Sequence, residues 1–261
     1  MNRIENVMRT LAENKEKAFV PYIMAGDGGL SSLAERITFL EKAGATAIEI
    51  GIPFSDPVAD GPVIQQAGIR ALESGTTLRG VLATIAEIRP IVHIPLIFMT
   101  YMNPIMAFGI QEFIDECLHS GVDGLILPDL PIEEEDIIAP YAEKAGIEII
   151  RLVTLTSPLE RVQEISSKGH GFLYAVTVNG ITGARKGFNE QLGEHLKKVK
   201  SVSHLPVLAG FGIASPSHVR EMNQFCDGVI VGSKIIELFE QGDLDGIKEL
   251  IKASKIAHVE N

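Results

Sequence analysis

The sequence predicts an α/β chain folded as a single-domain (β/α)8 barrel with an additional N-terminal helix. Eight short apolar runs recur along 261 residues, each followed by a segment with helical spacing, which is the pattern of parallel βαβ units. Eight such units in about 250 residues is the size of this barrel. No GxGxxG follows the first run, where GDGG stands at 26–29, so a doubly wound open sheet fits less well.

Taken in order, Ile4, Val7, Met8 and Leu11 recur at helical spacing and give the extra helix over residues 3–14. The strand runs are Phe19–Met24, Thr46–Ile50, Pro95–Tyr101, Gly124–Leu127, Glu148–Val153, Gly171–Thr177, Pro206–Ala209 and Gly228–Val231. Helices are expected at Leu30–Lys42, Val63–Glu73, Leu78–Ile88, Ile110–His119, Glu133–Lys144, Leu159–Ser167, Leu192–Ser201, His218–Gln224, Lys234–Phe239 and near Leu244–Ala257. Pro62 and Pro216 suit first-turn positions. Glu133 to Asp136 put negative charge where a helix dipole favours it. No linker or composition shift marks a second domain, so residues 1–261 read as one.

A hydrophobic content of 46% excludes disorder, and no apolar run reaches the ~18 residues a membrane helix needs. The first seventeen residues are amphipathic and interrupted by charge, unlike a signal peptide, and the expected location is cytoplasmic. A net charge of −11 argues against nucleic-acid or anionic-membrane partners. An anionic substrate must then be met by local devices. Cys117 and Cys226 lack CxxC spacing and read as buried thiols. The seven histidines form no HxH or HExxH cluster, so no metal site is expected.

The chemistry concentrates in Ala45 to Ala67. Alternation along a strand puts Ala47, Glu49 and Gly51 on one face, with Ile48 and Ile50 on the other. Glu49 thus sits between small residues with no base in its strand, and burying it is costly unless it is paired or used. A salt bridge to another strand, or an edge open to water, is the bland reading. Asp60 lies eleven residues on, in the loop after the strand. In a barrel, both carboxylates would face one pocket at the C-terminal ends of the strands. Different surroundings would divide acid and base roles between them, with the drier Glu49 raised in pKa. Asp60 alone could equally cap the helix that begins near Pro62, and Asp56 reads as a turn residue.

The last two strands end in Ala209-Gly210-Phe211-Gly212-Ile213 and Val231-Gly232-Ser233-Lys234. Glycines there make tight turns or admit an anion to backbone N–H groups and a helix N-terminus. Two in succession favour phosphate, the position barrels often use for it. Lys234 points at the anion or at solvent. Residues 177–191 form a long polar loop with Gly180, Thr182, Gly183, Arg185 and Lys186, the composition of a lid. Tyr22, Tyr101 and Tyr174 fall near strand ends, and together with Phe211 they suit a flat, apolar substrate body.

These residues carry a resemblance. FVPYIMAGD (19–27), AIEIGIPFSDPVADGPVIQ (47–65), MTYMNP (99–104), DGLILPDLP (123–131), NGITGAR (179–185), GFGI (210–213) and DGVIVGS (227–233) run in order over nearly the whole chain. The sequence resembles the tryptophan synthase α subunits, and the SDPVADGP loop is their most specific part. The resemblance implies a lyase cleaving indole-3-glycerol phosphate to indole and glyceraldehyde 3-phosphate. It makes Glu49 the general acid–base and Asp60 the group that stabilises charge on the ring nitrogen. Tyr174 would border the substrate, and Gly183, Gly212, Gly232 and Ser233 would contact phosphate. The loops at 53–61 and 177–191 would close over it.

The implied partner is a pyridoxal-phosphate-dependent β subunit in an αββα assembly, with Asp56, Pro57 and an Asn103-Pro104 turn on its side. No cofactor is expected in this chain. Two departures stand out: GDGG where proline usually follows the aspartate, and tyrosine at position 22 where phenylalanine also occurs. Another phosphate-binding barrel enzyme, such as a phosphosugar isomerase or an indole-glycerol-phosphate synthase, would share the glycines but not the SDPVADGP loop. A non-catalytic activating subunit would have no use for Glu49, Asp60 and the phosphate turns together.

Overall fold

The computed structural model describes residues 2–177, 186–210 and 212–255. Helix α1 (Arg3–Asn14) precedes β1 (Ala18–Met24), α2 (Leu30–Ala43), β2 (Ile48–Gly51), α3 (Pro62–Glu73), α4 (Leu78–Ile88) and β3 (Leu96–Met99). Then come α5 (Met102–Phe108), α6 (Ile110–Ser120), β4 (Gly124–Ile126), a 3-10 segment (Ile132–Ile137), α7 (Ala139–Ala145), β5 (Glu148–Ile150), β6 (Leu152–Thr154) and α8 (Leu159–Ser167). The chain continues through β7 (Leu173–Val176), α9 (Lys186–Val202), β8 (Val207–Gly210), α10 (Pro216–Met222), β9 (Gly228–Val231), α11 (Ser233–Gln241) and α12 (Leu244–Lys255).

All strand pairs are parallel, and the sheet order is β5-β4-β3-β2-β1-β9-β8-β7-β6. Its two edge strands are neighbours in sequence, separated only by Arg151. They are the halves of one barrel strand: β5 pairs with β4, and β6 with β7. The expected strand Glu148–Val153 is therefore broken, and the ring closes through the break. Arg151 explains how. Its carbonyl accepts the Tyr174 N–H at 3.0 Å, and its guanidinium forks onto Glu135, with Nη2 to Oε2 at 2.6 Å. A third bond runs from Nη1 to the Lys168 carbonyl at 2.7 Å.

Inside the ring, Val20, Ala47, Ile97, Ile126, Ile150, Phe172, Leu208 and Ile230 form an apolar plug, closed from below by Ile4 and Met8 of α1. Asn2 caps that helix through the Ile4 N–H at 2.9 Å, while its amide donates to the carbonyls of Asp123 and Gly146. Outside, Ile48, Ile50, Phe98 and Leu125 pack in the larger cluster that joins sheet to helices. The plug leaves the C-terminal mouth as the open end.

Three further expectations are corrected. Glu133–Lys144 is not one helix but the 3-10 segment and α7, parted at Ile138; Pro140, with no N–H to carry a preceding helix through, sits in the first turn of α7. Asn103 and Pro104 do not form a turn; they lie in the first turn of α5, whose Met102 N–H donates to Asp129. Helix α9 begins at Lys186, so residues 186–191 are helix rather than loop. Both cysteines are buried free thiols, as expected.

The Arg151–Glu135 pair is 13% and 9% exposed. Removing one partner strands the other in a dry site. Glu135→Ala should lower the urea-derived unfolding free energy by about 3 kcal/mol; a loss under about 1 kcal/mol would mean the pair does not hold the closure.

Candidate active site

Strand pairing sets Tyr22 of β1 level with Glu49 of β2, and Glu49 level with Ile97 of β3. All three face inward, one layer apart along the barrel axis from the next inward residues on their strands. Glu49 is 3% exposed, and its Oε2 has no hydrogen-bond partner among the described residues. Neither bland reading of Glu49 survives: the group is not at a wet edge, and among the described residues no basic side chain lies within salt-bridge reach of it. Among the described residues, nearby basic side chains are engaged elsewhere, Arg36 and Arg70 with Asp27 and Lys234 with Glu237 at 3.3 Å. Lys234 thus has an acidic partner on its own helix. Burial first, and the Asp60 charge second, push the Glu49 carboxyl up to about 8.

Asp60 does not cap α3. The N-cap is Gly61, without a side-chain bond, and Pro62 opens the helix. Instead the Asp60 carboxylate faces the mouth, with Oδ1 buried and unpartnered among the described residues. Burial raises its pKa to about 6, opposed by a hydrogen bond from Tyr101. Tyr101 is 2% exposed; its hydroxyl also accepts the Ala59 N–H at 3.0 Å, and its ring lies 5.4 Å from that of Phe54. The tyrosine expected to border substrate therefore also clasps the loop that carries Asp60. Asp129 supports it from below by accepting the first N–H of α5.

Tyr22 and Tyr174 complete the rim, and each crosses a glycine. A Cβ on Gly51 would come within 1.9 Å of the Tyr22 hydroxyl, and one on Gly210 within 2.4 Å of the Tyr174 ring. Only glycine admits such close approach. Met24, Val63, Ile64, Met99 and Ile236 pack with Tyr22 as an apolar wall. On the β8–β9 side, Gly212 has φ +73° and open space where a Cβ would stand. Gly232 is the N-cap of α11, with no side chain capping it, and Ser233 is its first residue. Uncapped N–H groups at a helix start are an anion site in waiting.

The tryptophan synthase alpha chain family model matches residues 8–260. The chain belongs to that family. It is 58% identical over 243 residues to a tryptophan synthase alpha chain of Bacillus cereus, covering 93% of this chain and 94% of the relative. A Legionella pneumophila tryptophan synthase subunit alpha superposes with a TM-score of 0.88 at 35% identity, covering 97% and 98% of the two chains. A chain of the aminoacrylate-bound tryptophan synthase from Mycobacterium tuberculosis gives 0.87 at 30% identity, covering 98% and 100%. This membership decides against the isomerase and indole-glycerol-phosphate synthase alternatives.

Of the residues singled out for a tryptophan synthase alpha chain, the structure gathers Tyr22, Glu49, Asp60, Tyr101, Tyr174, Gly212, Gly232 and Ser233 at the mouth. Thr182, Gly183 and Phe211 lie outside the described residues, as does most of the 177–191 segment. Asp56 and Asn103 are exposed and Pro57 and Pro104 partly so, on the rim beside Val58 (84% exposed) and Met106 (58% exposed). The GDGG departure also has a shape. Gly28 sits at φ +87°, which proline cannot adopt, while Asp27 anchors Arg70 by two bonds of 2.7 and 3.0 Å. Sequence reading named Gly51 and Gly210 without their role as seats for the tyrosine rings, and it missed Asp129 and the Asp27–Arg70 pair. Only the two glycines had a signal, small inward residues at strand ends opposite tyrosines.

A carboxyl whose pKa is raised on folding binds more protons in the folded state, so it costs stability increasingly as pH climbs from about 4.5 to about 8. Glu49→Gln should therefore raise Tm at pH 8 by roughly 5 °C and leave it nearly unchanged at pH 4. Equal Tm values at pH 8 would show that the carboxyl is not strained by its site.

Proposed function

We propose that this chain cleaves indole-3-glycerol phosphate to indole and glyceraldehyde 3-phosphate, the alpha half-reaction of tryptophan synthase, with Glu49 and Asp60 as its catalytic groups. The observation that carries this reading is the pair of carboxyls in one mouth, neither facing a cation among the described residues, one raised to about 8 and the other to about 6. Near neutral pH the first is protonated and the second ionised, which is the division an acid and an electrostatic partner need.

Glu49 gives its proton to ring carbon 3, and the positive charge that forms at the ring nitrogen faces Asp60. The Glu49 carboxylate then takes the proton of the hydroxyl on the adjoining chain carbon. The freed O–H pair becomes the aldehyde carbonyl. The bond from that carbon to the ring breaks, and its pair restores the neutral indole. Glu49 ends protonated, ready for another turnover. Tyr22, Tyr101 and Tyr174 enclose the flat ring, and Gly212, Gly232 and Ser233 receive the phosphate near the start of α11; the family resemblance adds Gly183 to the phosphate contacts.

Family membership implies a β-subunit partner. We place Asp56, Pro57, Asn103 and Pro104 on the face toward it, in an αββα heterotetramer that passes indole from one site to the other. The exposed Val58 and Met106 give this face an apolar element. In this arrangement the chemistry here uses acid–base groups alone, and pyridoxal phosphate belongs to the partner. The location that goes with such an enzyme is the cytoplasm; among the described residues no helix is long and apolar enough to cross a membrane.

The test is indole release from indole-3-glycerol phosphate by wild type and Glu49→Gln, with and without a tryptophan synthase beta chain. Wild-type release that the partner raises, and a loss of at least 10²-fold in the variant, is the expected result. A Glu49→Gln protein as active as wild type would remove Glu49 from the chemistry.

A further inference from the structure

Tyr22 brings to the mouth something that ring-stacking does not require. Its side chain is 3% exposed, and its hydroxyl is buried without a hydrogen-bond partner among the described residues. The side chain starts beside Gly232, where a Cβ would lie 3.7 Å from Tyr22 Cβ, and ends over Gly51. It thus spans from the phosphate turn to the end of β2, and its hydroxyl points away from the phosphate and into the neighbourhood of the carboxylates. Burial, then the charges of Asp60 and Glu49, hold its pKa well above the ordinary phenol value, so at neutral pH it keeps its proton and remains a donor.

Three polar atoms are left orphaned around one space: Tyr22 Oη, Glu49 Oε2 and Asp60 Oδ1. Leaving buried polar atoms without partners is costly, and a site that retains them is built for a ligand that satisfies them. The ring N–H of the proposed substrate is a donor only and suits Asp60. A phenol needs an acceptor, and the group that both accepts a bond and donates to a carboxylate is a hydroxyl.

We propose that Tyr22 is a further catalytic residue of the cleavage, donating a hydrogen bond through Oη to the chain hydroxyl oxygen that Glu49 deprotonates. This inference rests on the proposed function. The bond counts more as the reaction proceeds. As Glu49 removes the proton, negative charge gathers on that oxygen, and a donor already in place stabilises it. No proton passes from Tyr22: it stays on the phenol while the oxygen becomes the aldehyde carbonyl. A phenylalanine ring at this position would fill the same wall against Met24 and Ile64 but leave the oxygen without this donor.

The experiment compares wild type with Tyr22→Phe in two measurements. One is kcat/KM for indole release from indole-3-glycerol phosphate. The other is the inhibition constant of indole-3-propyl phosphate, which keeps the ring and phosphate but has no chain hydroxyl. The expected result is a fall of about tenfold in kcat/KM, mostly in kcat, with the inhibition constant within twofold of wild type. Tm should hold or rise, since the substitution removes an orphaned hydroxyl without changing ring volume. Equal losses for substrate and inhibitor would mean the tyrosine only packs the ring, and no loss for either would mean the hydroxyl meets nothing; both overturn the inference. A wild type that releases no indole would overturn the proposed function itself and this inference with it.

Discussion

A carboxyl group held in the dry mouth of a barrel, with no cation beside it among the described residues, is the constraint on which the rest of this structure turns. Glu49 is buried between the apolar plug of the ring and a wall of tyrosines, and its neighbour in charge is another acid. Among the described residues the nearby cations are engaged elsewhere: Arg36 and Arg70 on Asp27, Lys234 on Glu237. That arrangement costs stability and yields a carboxylic acid that keeps its proton near neutral pH. The barrel can bear the cost because its other end is closed by well-satisfied contacts, Asn2 and Arg3 of α1 meeting Asp123 and Gly146.

Rigidity around the acid comes from the same residues that shape the pocket. Tyr101 ties Ala59 and Asp60 to the barrel, and Asp129 fixes the helix that starts next to Tyr101. Tyr22 and Tyr174 lie across Gly51 and Gly210, so strand ends and rings interlock. The loop with Asp60 is thus held at its acidic end while Asp56 and Val58 stand in solvent. One short segment thereby serves the chemistry at one end and offers a surface at the other.

Much of this was readable from residues alone. Periodicity gave the βα order, and the alternation Ala47, Glu49, Gly51 put the acid on the inward face because a strand leaves no other choice. The break at Arg151 was not readable, since Ile149 to Val153 is apolar on both sides of that one arginine. What parts it is the pull of Glu135 and the Lys168 carbonyl, contacts distant in sequence. Helix α5 was hidden by Pro104, which reads as a turn residue but is tolerated in a first turn. Asp60 looked like a cap by position, and only the third dimension shows Gly61 in that place and the Asp60 charge near enough to act on Glu49. The resemblance supplied roles for these residues; the burial that makes the roles physically reasonable had to come from the fold.

The most direct test of this account is an NMR titration of the Glu49 side-chain carboxyl carbon in the ligand-free protein, assigned by comparison with Glu49→Gln. Burial beside Asp60 predicts a midpoint near 8, with the group protonated at pH 7. A midpoint between 4 and 5, the ordinary range for glutamate, would contradict it and leave the acid of the proposed cleavage without its proton.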